Sequence, residues 1–187
     1  MNASHVLDRP RPAYRPFPSL QYKNALQELV EVPALVRSLR LAPGKRILEV
    51  GCGRGVALPA LARHARPAYL AGLELDCRAF AEAVRAVRDA GVEADVFQGD
   101  VREMPFPDAS FDVVVDFGTC YHIARPELAL AEIARVLAPD GLFVCETPVS
   151  QLLAHPRRSL GRTLPWELAP ELAPSRSAVL WSARART

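Results

Sequence analysis

Residues 47–55, with the sequence ILEVGCGRG, constrain the fold of this chain more than any other segment. Residues 47–50 have the composition of a strand, and glycines follow at alternate positions, at 51, 53 and 55. Glycine permits a tight turn and a close approach of the backbone to a ligand. A helix that begins after such a turn offers unpaired N–H groups and positive potential to an anionic group. The segment therefore predicts a strand, a turn and a helix that together bind a ligand.

Predicted strands and helices alternate around this segment. Apolar and β-branched runs predict five strands, at 46–50, 69–75, 94–98, 111–116 and 142–147. Helical spacing of apolar residues predicts four helices, at 20–41 (interrupted or restarted at Pro33), 55–65, 77–90 and 126–138. Strands that alternate with helices of this length form parallel sheets with right-handed crossovers. The predicted fold class is α/β, a Rossmann-like, doubly wound sheet.

Composition narrows the possible classes of protein. Half of the 187 residues are hydrophobic and 24% are charged, as in one ordinary globular domain. We find neither a membrane-spanning apolar run nor a secretory leader, and expect a cytoplasmic protein without a membrane partner. The net charge of +2 does not favour a nucleic-acid partner. The four cysteines form no C-x-x-C pair, so buried thiols and no metal site are expected.

Three acidic residues lie at or just past the ends of predicted strands. Glu49 precedes the first glycine and could accept the ammonium group of an amino-acid-like ligand. Glu74, 19 residues after Gly55, is placed to accept hydrogen bonds from ribose hydroxyls. Asp100 is placed to accept one from the exocyclic amine of adenine. Because open α/β sheets bind ligands at the carboxyl ends of their strands, we expect these acids to share one site.

These motifs together resemble the class I S-adenosylmethionine-dependent methyltransferases, in particular the small-molecule, type 11-like branch. EVGCGRG at 49–55 is similar to the family motif that holds the methionine half of the cofactor. LELD at 73–76 is similar to its ribose motif, and QGDV at 98–101 to its adenine motif. The segments at 106–114 and 132–141 resemble those that lead into the family's fourth and fifth strands. The resemblance covers about residues 33–147.

The resemblance implies S-adenosylmethionine as cofactor and methyl transfer to an O, N or C atom of a small molecule. The cofactor-binding residues implied in this way are Glu49, Gly51, Cys52, Gly53, Glu74, Leu75, Asp100, Val101, Asp116 and Phe117. Methyl displacement depends on alignment and needs a base only for a protonated acceptor, so no catalytic residue is assigned. His122 is a candidate base for a hydroxyl acceptor, but a structural role in its loop is the preferred interpretation.

We interpret the chain as one methyltransferase-like domain. Residues 1–42 form an N-terminal arm and helices, 43–147 the cofactor-binding core, and 148–187 a short substrate or edge region. The resemblance leaves two roles open for the N-terminal region, a lid over the site or a helix that only packs on the sheet. It also implies that 179–184 form an antiparallel last strand. About forty residues after the fifth strand must complete the site. The pocket is therefore predicted to be small, open, or completed by a second copy in a homodimer.

Two other functions stay open. The short C-terminal region is compatible with a non-catalytic protein that binds S-adenosylmethionine or S-adenosylhomocysteine on the same fold. A nucleotide-dependent oxidoreductase is disfavoured, because Val56 stands where the third glycine of the G-x-G-x-x-G fingerprint belongs.

An Asn/Asp-Pro-Pro-Tyr sequence, which marks enzymes that methylate amino groups of bases or amides, is absent after the fourth predicted strand. This absence argues against a nucleic-acid base as the methyl acceptor.

Overall fold

The computed structural model describes residues 20–146 and 182–184. Its sheet has the strand order β3-β2-β1-β4-β5-β6. The strands are β1 Arg46–Val50, β2 Tyr69–Glu74, β3 Asp95–Gln98, β4 Phe111–Asp116, β5 Leu137–Cys145 and β6 Ser182–Arg184. The first five pair in parallel, and β6 runs antiparallel to β5. The predicted α/β, Rossmann-like sheet of five parallel strands is confirmed, and its strand order reverses between β1 and β4.

Within residues 20–146, five α-helices and one π-helical turn connect and precede the strands. They are α1 Leu20–Leu26, the π-helical turn Gln27–Glu31, α2 Val32–Ser38, α3 Ala57–Ala65, α4 Cys77–Ala90 and α5 Pro126–Val136. The predicted interruption or restart at Pro33 is confirmed as a restart, because α2 begins at Val32 and Pro33 lies in its first turn, where its missing N–H costs little. The irregularity lies earlier, in the π-helical turn.

Helix α4 shows why some boundaries follow from local sequence. The Asp76 carboxylate accepts hydrogen bonds from the N–H groups of Arg78 and Ala79, both at 2.9 Å, and so caps the first turn. Gly91 ends the helix with a φ of 63°, a conformation that glycine adopts without strain. Both signals are in the sequence, and the predicted helix at 77–90 is confirmed.

The start of β5 differs from the prediction. Helix α5 ends at Val136, and Leu137 already pairs with Phe111 of β4. Residues 138–141 then bulge outwards, with Asp140 at a φ of 60°, before pairing resumes between Val113 and Leu142. The predicted turn after the helix is therefore an excursion within the strand. Pairing with β4 determines this boundary, and helix-end signals cannot report such pairing.

Apolar side chains cover both faces of the sheet. Ile47 and Val115 lie on the face that packs against α2, α3 and α4, in one buried cluster. Leu48 and Val114 alternate with them and pack on the opposite face with residues of α5, including Ile133. Each central strand is thus buried on both sides, as a parallel sheet requires. Because helices cover both faces of the sheet, the carboxyl ends of the strands are where a ligand is expected to bind.

Arg135 of α5 holds the segment that follows the predicted adenine motif. Its guanidinium donates to the backbone carbonyls of Phe106 and Met104, at 2.7 and 3.1 Å, and to the carboxylate of Asp108 at 2.8 Å. Glu132 pairs with Arg135 and also accepts the Met104 N–H at 2.7 Å. The two segments at 106–114 and 132–141 are therefore in contact through this network.

Candidate cofactor-binding site

A cleft of about 180 Å³ lies at the carboxyl end of β1. Three parts of the chain line it: the N-terminal helical segment, the glycine loop after β1, and the residue that follows β4. The lining residues are Leu20, Lys23, Asn24, Gln27, Glu49, Gly51, Cys52, Gly53, Arg54, Val56 and Phe117. The cleft therefore adjoins the point where the strand order reverses, which is the usual ligand position in this architecture.

Gly51 and Gly53 of the loop both have a positive φ, but a side chain would meet different surroundings at the two positions. Gly51 has a φ of 61°, and a Cβ there would lie 1.8 Å from Oγ1 of Thr119, so a side chain does not fit. Gly53 has a φ of 55°, but a Cβ there would meet no atom within 4 Å. Gly51 thus lets β1 and the turn after β4 approach each other. Gly53 lines the cleft, and a side chain there would contact no protein atom.

Glu49 is a buried acidic residue that lines the cleft. Its side chain is only 2% exposed, and its Oε2 atom has no hydrogen-bond partner. Burial raises the pKa of Glu49 to about 8, and the charges of Asp116 and Glu74 add to this rise. A buried carboxylate without a full set of partners is costly unless a cation or donor reaches it. The ammonium group of an amino-acid-like ligand fits this position.

Glu74 links the end of β2 to the glycine loop. Its Oε2 accepts the Gly53 N–H at 2.7 Å, and its Oε1 accepts the Asp76 N–H at 2.8 Å. The carboxylate has further lone pairs for ribose hydroxyls. The structure therefore brings Glu74 beside the same loop as Glu49, as the sequence predicts, although Glu74 does not line the cleft itself.

Asp100 is paired with a residue that the sequence analysis missed. Nη2 of Arg102 lies 2.6 Å from its Oδ2, and Nε lies 2.9 Å from its Oδ1. Nη1 of Arg102 also donates to the carbonyl of Ala124, at 3.3 Å. The signal was present in the sequence, since an arginine two residues after an acid can reach it in a turn. Asp100 thus lies at the third strand end with its carboxylate held in place.

Asp116 and Phe117, both predicted near the methionine half of the cofactor, lie in different surroundings. Asp116 is 1% exposed, and its carboxylate accepts the N–H groups of the next turn, those of Gly118, Thr119 and Cys120. It does not line the cleft, whereas Phe117 does. Asp116 therefore shapes the turn that carries Phe117.

The remaining predicted cofactor residues divide in the same way. Cys52 lines the cleft, and burial raises the pKa of its thiol, so it is not an activated nucleophile. Leu75 is 44% exposed beyond the end of β2, and Val101 is buried in the core cluster next to α5. Five of the ten predicted residues line this cleft. The other five are Glu74, Leu75, Asp100, Val101 and Asp116.

His122 lies in the turn that follows Phe117. Its backbone N–H donates to the carbonyl of Thr119 at 2.9 Å, and its ring centroid lies 4.1 Å from that of Tyr121. Its side chain reaches solvent, yet partial burial and the charge of Lys23 lower its pKa. The lowered pKa favours the neutral imidazole, which is the form that can accept a proton. Its role in catalysis stays a prediction.

The sequence analysis did not assign the cleft residues of the N-terminal helices. Leu20, Lys23 and Asn24 belong to α1, and Gln27 begins the π-helical turn. No sequence motif marks them, because packing alone brings α1 over the glycine loop. Across residues 20–146 and 182–184, no group of three or more His, Cys, Asp or Glu side chains could hold a metal ion. In the same described part of the chain, no helix is both long and apolar enough to cross a membrane.

Comparison with known families now adds to this geometry. A family model described as a methyltransferase domain matches residues 48–145, which run from β1 to the end of β5. The chain belongs to this methyltransferase family. The matched segment contains the glycine loop and the acids at the three strand ends. The predicted resemblance to class I small-molecule methyltransferases is confirmed, and the family implies use of S-adenosylmethionine.

Curated relatives are named as methyltransferases, and a solved structure shares the fold. The chain is 43% identical over 101 residues to a fatty-acid O-methyltransferase of Mycolicibacterium smegmatis. It is 41% identical over 103 residues to a phthiotriol/phenolphthiotriol dimycocerosates methyltransferase of Mycobacterium tuberculosis. Each match covers 54% of this chain and 36% of the relative, so the chain spans little more than a third of their length. A SAM-dependent methyltransferase from Aquifex aeolicus shares the fold, with a TM-score of 0.60, 19% identity, and coverage of 79% and 80% of the two chains.

Proposed function

We propose that this chain transfers a methyl group from S-adenosylmethionine to an O, N or C atom of a small-molecule acceptor. The observation that carries the proposal is Glu49, a buried carboxylate with a partnerless oxygen beside the glycine loop of a methyltransferase domain. An amino-acid ammonium satisfies that oxygen, and the alternative dinucleotide cofactors have no such group at this position.

The site residues divide among the parts of the cofactor. Glu49 accepts the ammonium group, and the methionine half lies along the glycine loop beside Cys52 and Phe117. Glu74 with Leu75 holds the ribose, and Asp100 with Val101 holds the adenine. When bound, S-adenosylmethionine supplies an electrophilic methyl group on a sulfonium. The chain's own contribution is to bind, to orient and to exclude water, with the N-terminal helices acting as a lid.

We propose lipid-like carboxylic acids or alcohols as the first acceptor classes to examine. The relatives are named for fatty-acid and phthiotriol methylation, and three apolar side chains of the N-terminal helical segment are exposed, those of Leu20, Leu29 and Val30. A carboxylate is already anionic at neutral pH and needs no base. An alcohol needs one, and neutral His122 in the turn after Phe117 is the candidate.

Two measurements test the proposal. Calorimetry should show that the full chain binds S-adenosylhomocysteine and that Glu49→Gln weakens binding, whereas Glu93→Gln, at an exposed position between α4 and β3, does not. Incubation with S-adenosylmethionine and a panel of fatty acids and lipid alcohols should yield products heavier by one methylene in mass spectra. A folded wild-type chain that binds no S-adenosylhomocysteine contradicts the proposal.

The same experiments separate the acceptor types. His122→Asn should remove turnover of alcohols and leave that of carboxylic acids, because the base serves the protonated acceptor alone. Equal loss with both acceptors would show that His122 is structural. Binding without turnover of any acceptor would instead support a non-catalytic protein of the same fold, a function compatible with the small share of the relatives that the chain spans.

The proposal includes the wider setting predicted from the sequence. The chain acts as a single domain in the cytoplasm, without a nucleic-acid partner, and its strand at the β5 edge belongs to the substrate side. Residues 148–181 lie outside the described residues, so the pocket they were predicted to complete, alone or with a second copy, stays a proposal. Sedimentation of the purified chain with and without cofactor tests the homodimer.

A further inference from the structure

The cleft contains a cation whose role the family resemblance did not assign. Lys23 of α1 and Glu49 of β1 line the same cleft, although they come from different layers of the fold. The charge of Lys23 lowers the pKa of both Glu49 and His122, which places it electrostatically near both side chains. Lys23 therefore faces the region between the glycine loop and the turn after β4.

Lys23 and Arg54 both line the cleft, but they differ in whether a protein carboxylate already pairs with them. Arg54 also lines the cleft, but its Nε lies 3.2 Å from the carboxylate of Glu82. Among residues 20–146 and 182–184, no salt bridge includes Lys23. An ammonium group on the wall of a cleft can bind an anionic ligand without first losing a protein partner.

Lys23 and the ionised form of Glu49 together match one chemical group. Glu49 presents a buried acceptor without a partner, and Lys23 presents a donor of opposite charge. An α-amino acid carries an ammonium and a carboxylate on the same carbon, so it can satisfy both side chains at once. A ligand with one of these groups leaves the other protein charge in the cleft without a partner.

We propose that Lys23 binds the carboxylate of the amino-acid end whose ammonium Glu49 accepts, so that α1 and β1 together recognise the zwitterion. This inference rests on the proposed function, since the amino-acid end is that of S-adenosylmethionine. Because Lys23 lies on α1, the contact also ties the N-terminal helix to the ligand. Hydrogen exchange in residues 20–26 should then slow when S-adenosylhomocysteine binds.

The test compares two ligands that differ by one carboxylate. S-Adenosylhomocysteine carries the full amino-acid end, and S-adenosyl-3-thiopropylamine lacks the carboxylate alone. Calorimetry on the full chain should show that Lys23→Met weakens S-adenosylhomocysteine binding by about tenfold and leaves the analogue unchanged. Lys23→Arg should retain most of the preference, because it keeps the positive charge.

The sequence offers a matched control, because Lys45 is the one other lysine of the chain. It is exposed and does not line the cleft, so Lys45→Met should bind both ligands as the wild type does. Methionine and lysine have similar helix propensities, and circular dichroism will verify that the Lys23 variant is folded.

The possible outcomes are distinct. If the wild type binds neither ligand, the proposed function fails. If the wild type binds both and Lys23→Met leaves their affinity ratio unchanged, this inference fails and the proposed function stands. A fatty acid such as octanoate tests the other source of a carboxylate. Suppose that Lys23→Met loses octanoate binding but keeps the wild-type ratio of affinities for S-adenosylhomocysteine and S-adenosyl-3-thiopropylamine. That result would overturn the inference and indicate that Lys23 belongs to an acceptor site.

Discussion

Arg102 holds both carboxylate oxygens of Asp100, with Nη2 at 2.6 Å from Oδ2 and Nε at 2.9 Å from Oδ1. The side chains of Arg102 and Asp100 are 19% and 25% exposed, so the ion pair is partly buried. The same guanidinium donates to the Ala124 carbonyl in the connection from β4 to α5. The end of β3, where the adenine is proposed to lie, is therefore connected to the turn region that carries His122.

Asp100→Asn should weaken S-adenosylhomocysteine binding by about tenfold and remove discrimination at the base. The carboxylate accepts a hydrogen bond from the adenine amine but repels the carbonyl oxygen of hypoxanthine. Calorimetry with S-adenosylhomocysteine and S-inosylhomocysteine measures this preference. A wild-type preference in Asp100→Asn would show that the adenine lies elsewhere.

Arg102→Met should weaken S-adenosylhomocysteine binding about threefold to tenfold, because Asp100 loses the pair that orients its carboxylate. Arg102→Lys should not restore the affinity, since a lysine cannot donate two parallel hydrogen bonds. Arg88→Met removes an exposed ion pair with Asp89 on α4 and serves as the control. Equal affinities in all three variants would exclude a positioning role for Arg102.

Cofactor affinity should rise with pH because Glu49 must be ionised to accept an ammonium group. Its pKa of about 8 in the ligand-free protein means that protonated Glu49 dominates at neutral pH. Between about pH 6 and 7.5 the affinity for S-adenosylhomocysteine should rise roughly tenfold per pH unit, with release of one proton on binding. Calorimetry in buffers of different ionisation enthalpy counts that proton. In Glu49→Gln the affinity should be low and independent of pH.

The same carboxylate should lower the stability of the ligand-free protein at alkaline pH. The folded-state pKa of Glu49 is raised from 4.5 to about 8, so its contribution to the free energy of unfolding is full below pH 4.5 and is lost as the pH rises to 8. Glu49→Gln removes the ionisation and keeps the shape. Its Tm should exceed that of the wild type by several degrees near pH 8 and by little near pH 5. A lower Tm at both pH values would contradict this account.

Two glycine variants should separate folding from binding. Gly51→Ala places a methyl group against Thr119 and should lower the free energy of unfolding by roughly 2–4 kcal/mol. Gly53→Ala directs its methyl group into open space and should cost only about 1–2 kcal/mol, from its positive φ. Because Gly53 lines the cleft and its N–H donates to Glu74, the strained loop should also bind S-adenosylhomocysteine more weakly. Denaturant unfolding and calorimetry check both quantities, and equal effects of the two variants on stability would be evidence against this geometry.

Local patterns predicted most of the core elements. The predicted strands at 46–50 and 111–116 agree with β1 and β4, and the predicted helix at 77–90 agrees with α4. Buried parallel strands are continuous apolar runs, and α4 has a capping aspartate and a terminal glycine, so neighbouring residues suffice. The start of β5 was missed because pairing with a distant strand, rather than a local signal, sets it.

The sequence by itself determined the α/β architecture and the set of acids at the strand ends, because Glu49, Glu74 and Asp100 each lie at or just past the end of a predicted strand and parallel strands end at the same edge of a sheet. Tertiary structure alone decided the surroundings of each acid. Packing buries Glu49 without a full set of hydrogen-bond partners, and it pairs the Asp100 carboxylate with the Arg102 guanidinium. It also places Lys23 of α1 in the lining of the cleft. Charge pairing and desolvation depend on distances between segments far apart in the chain, and a linear pattern does not contain those distances.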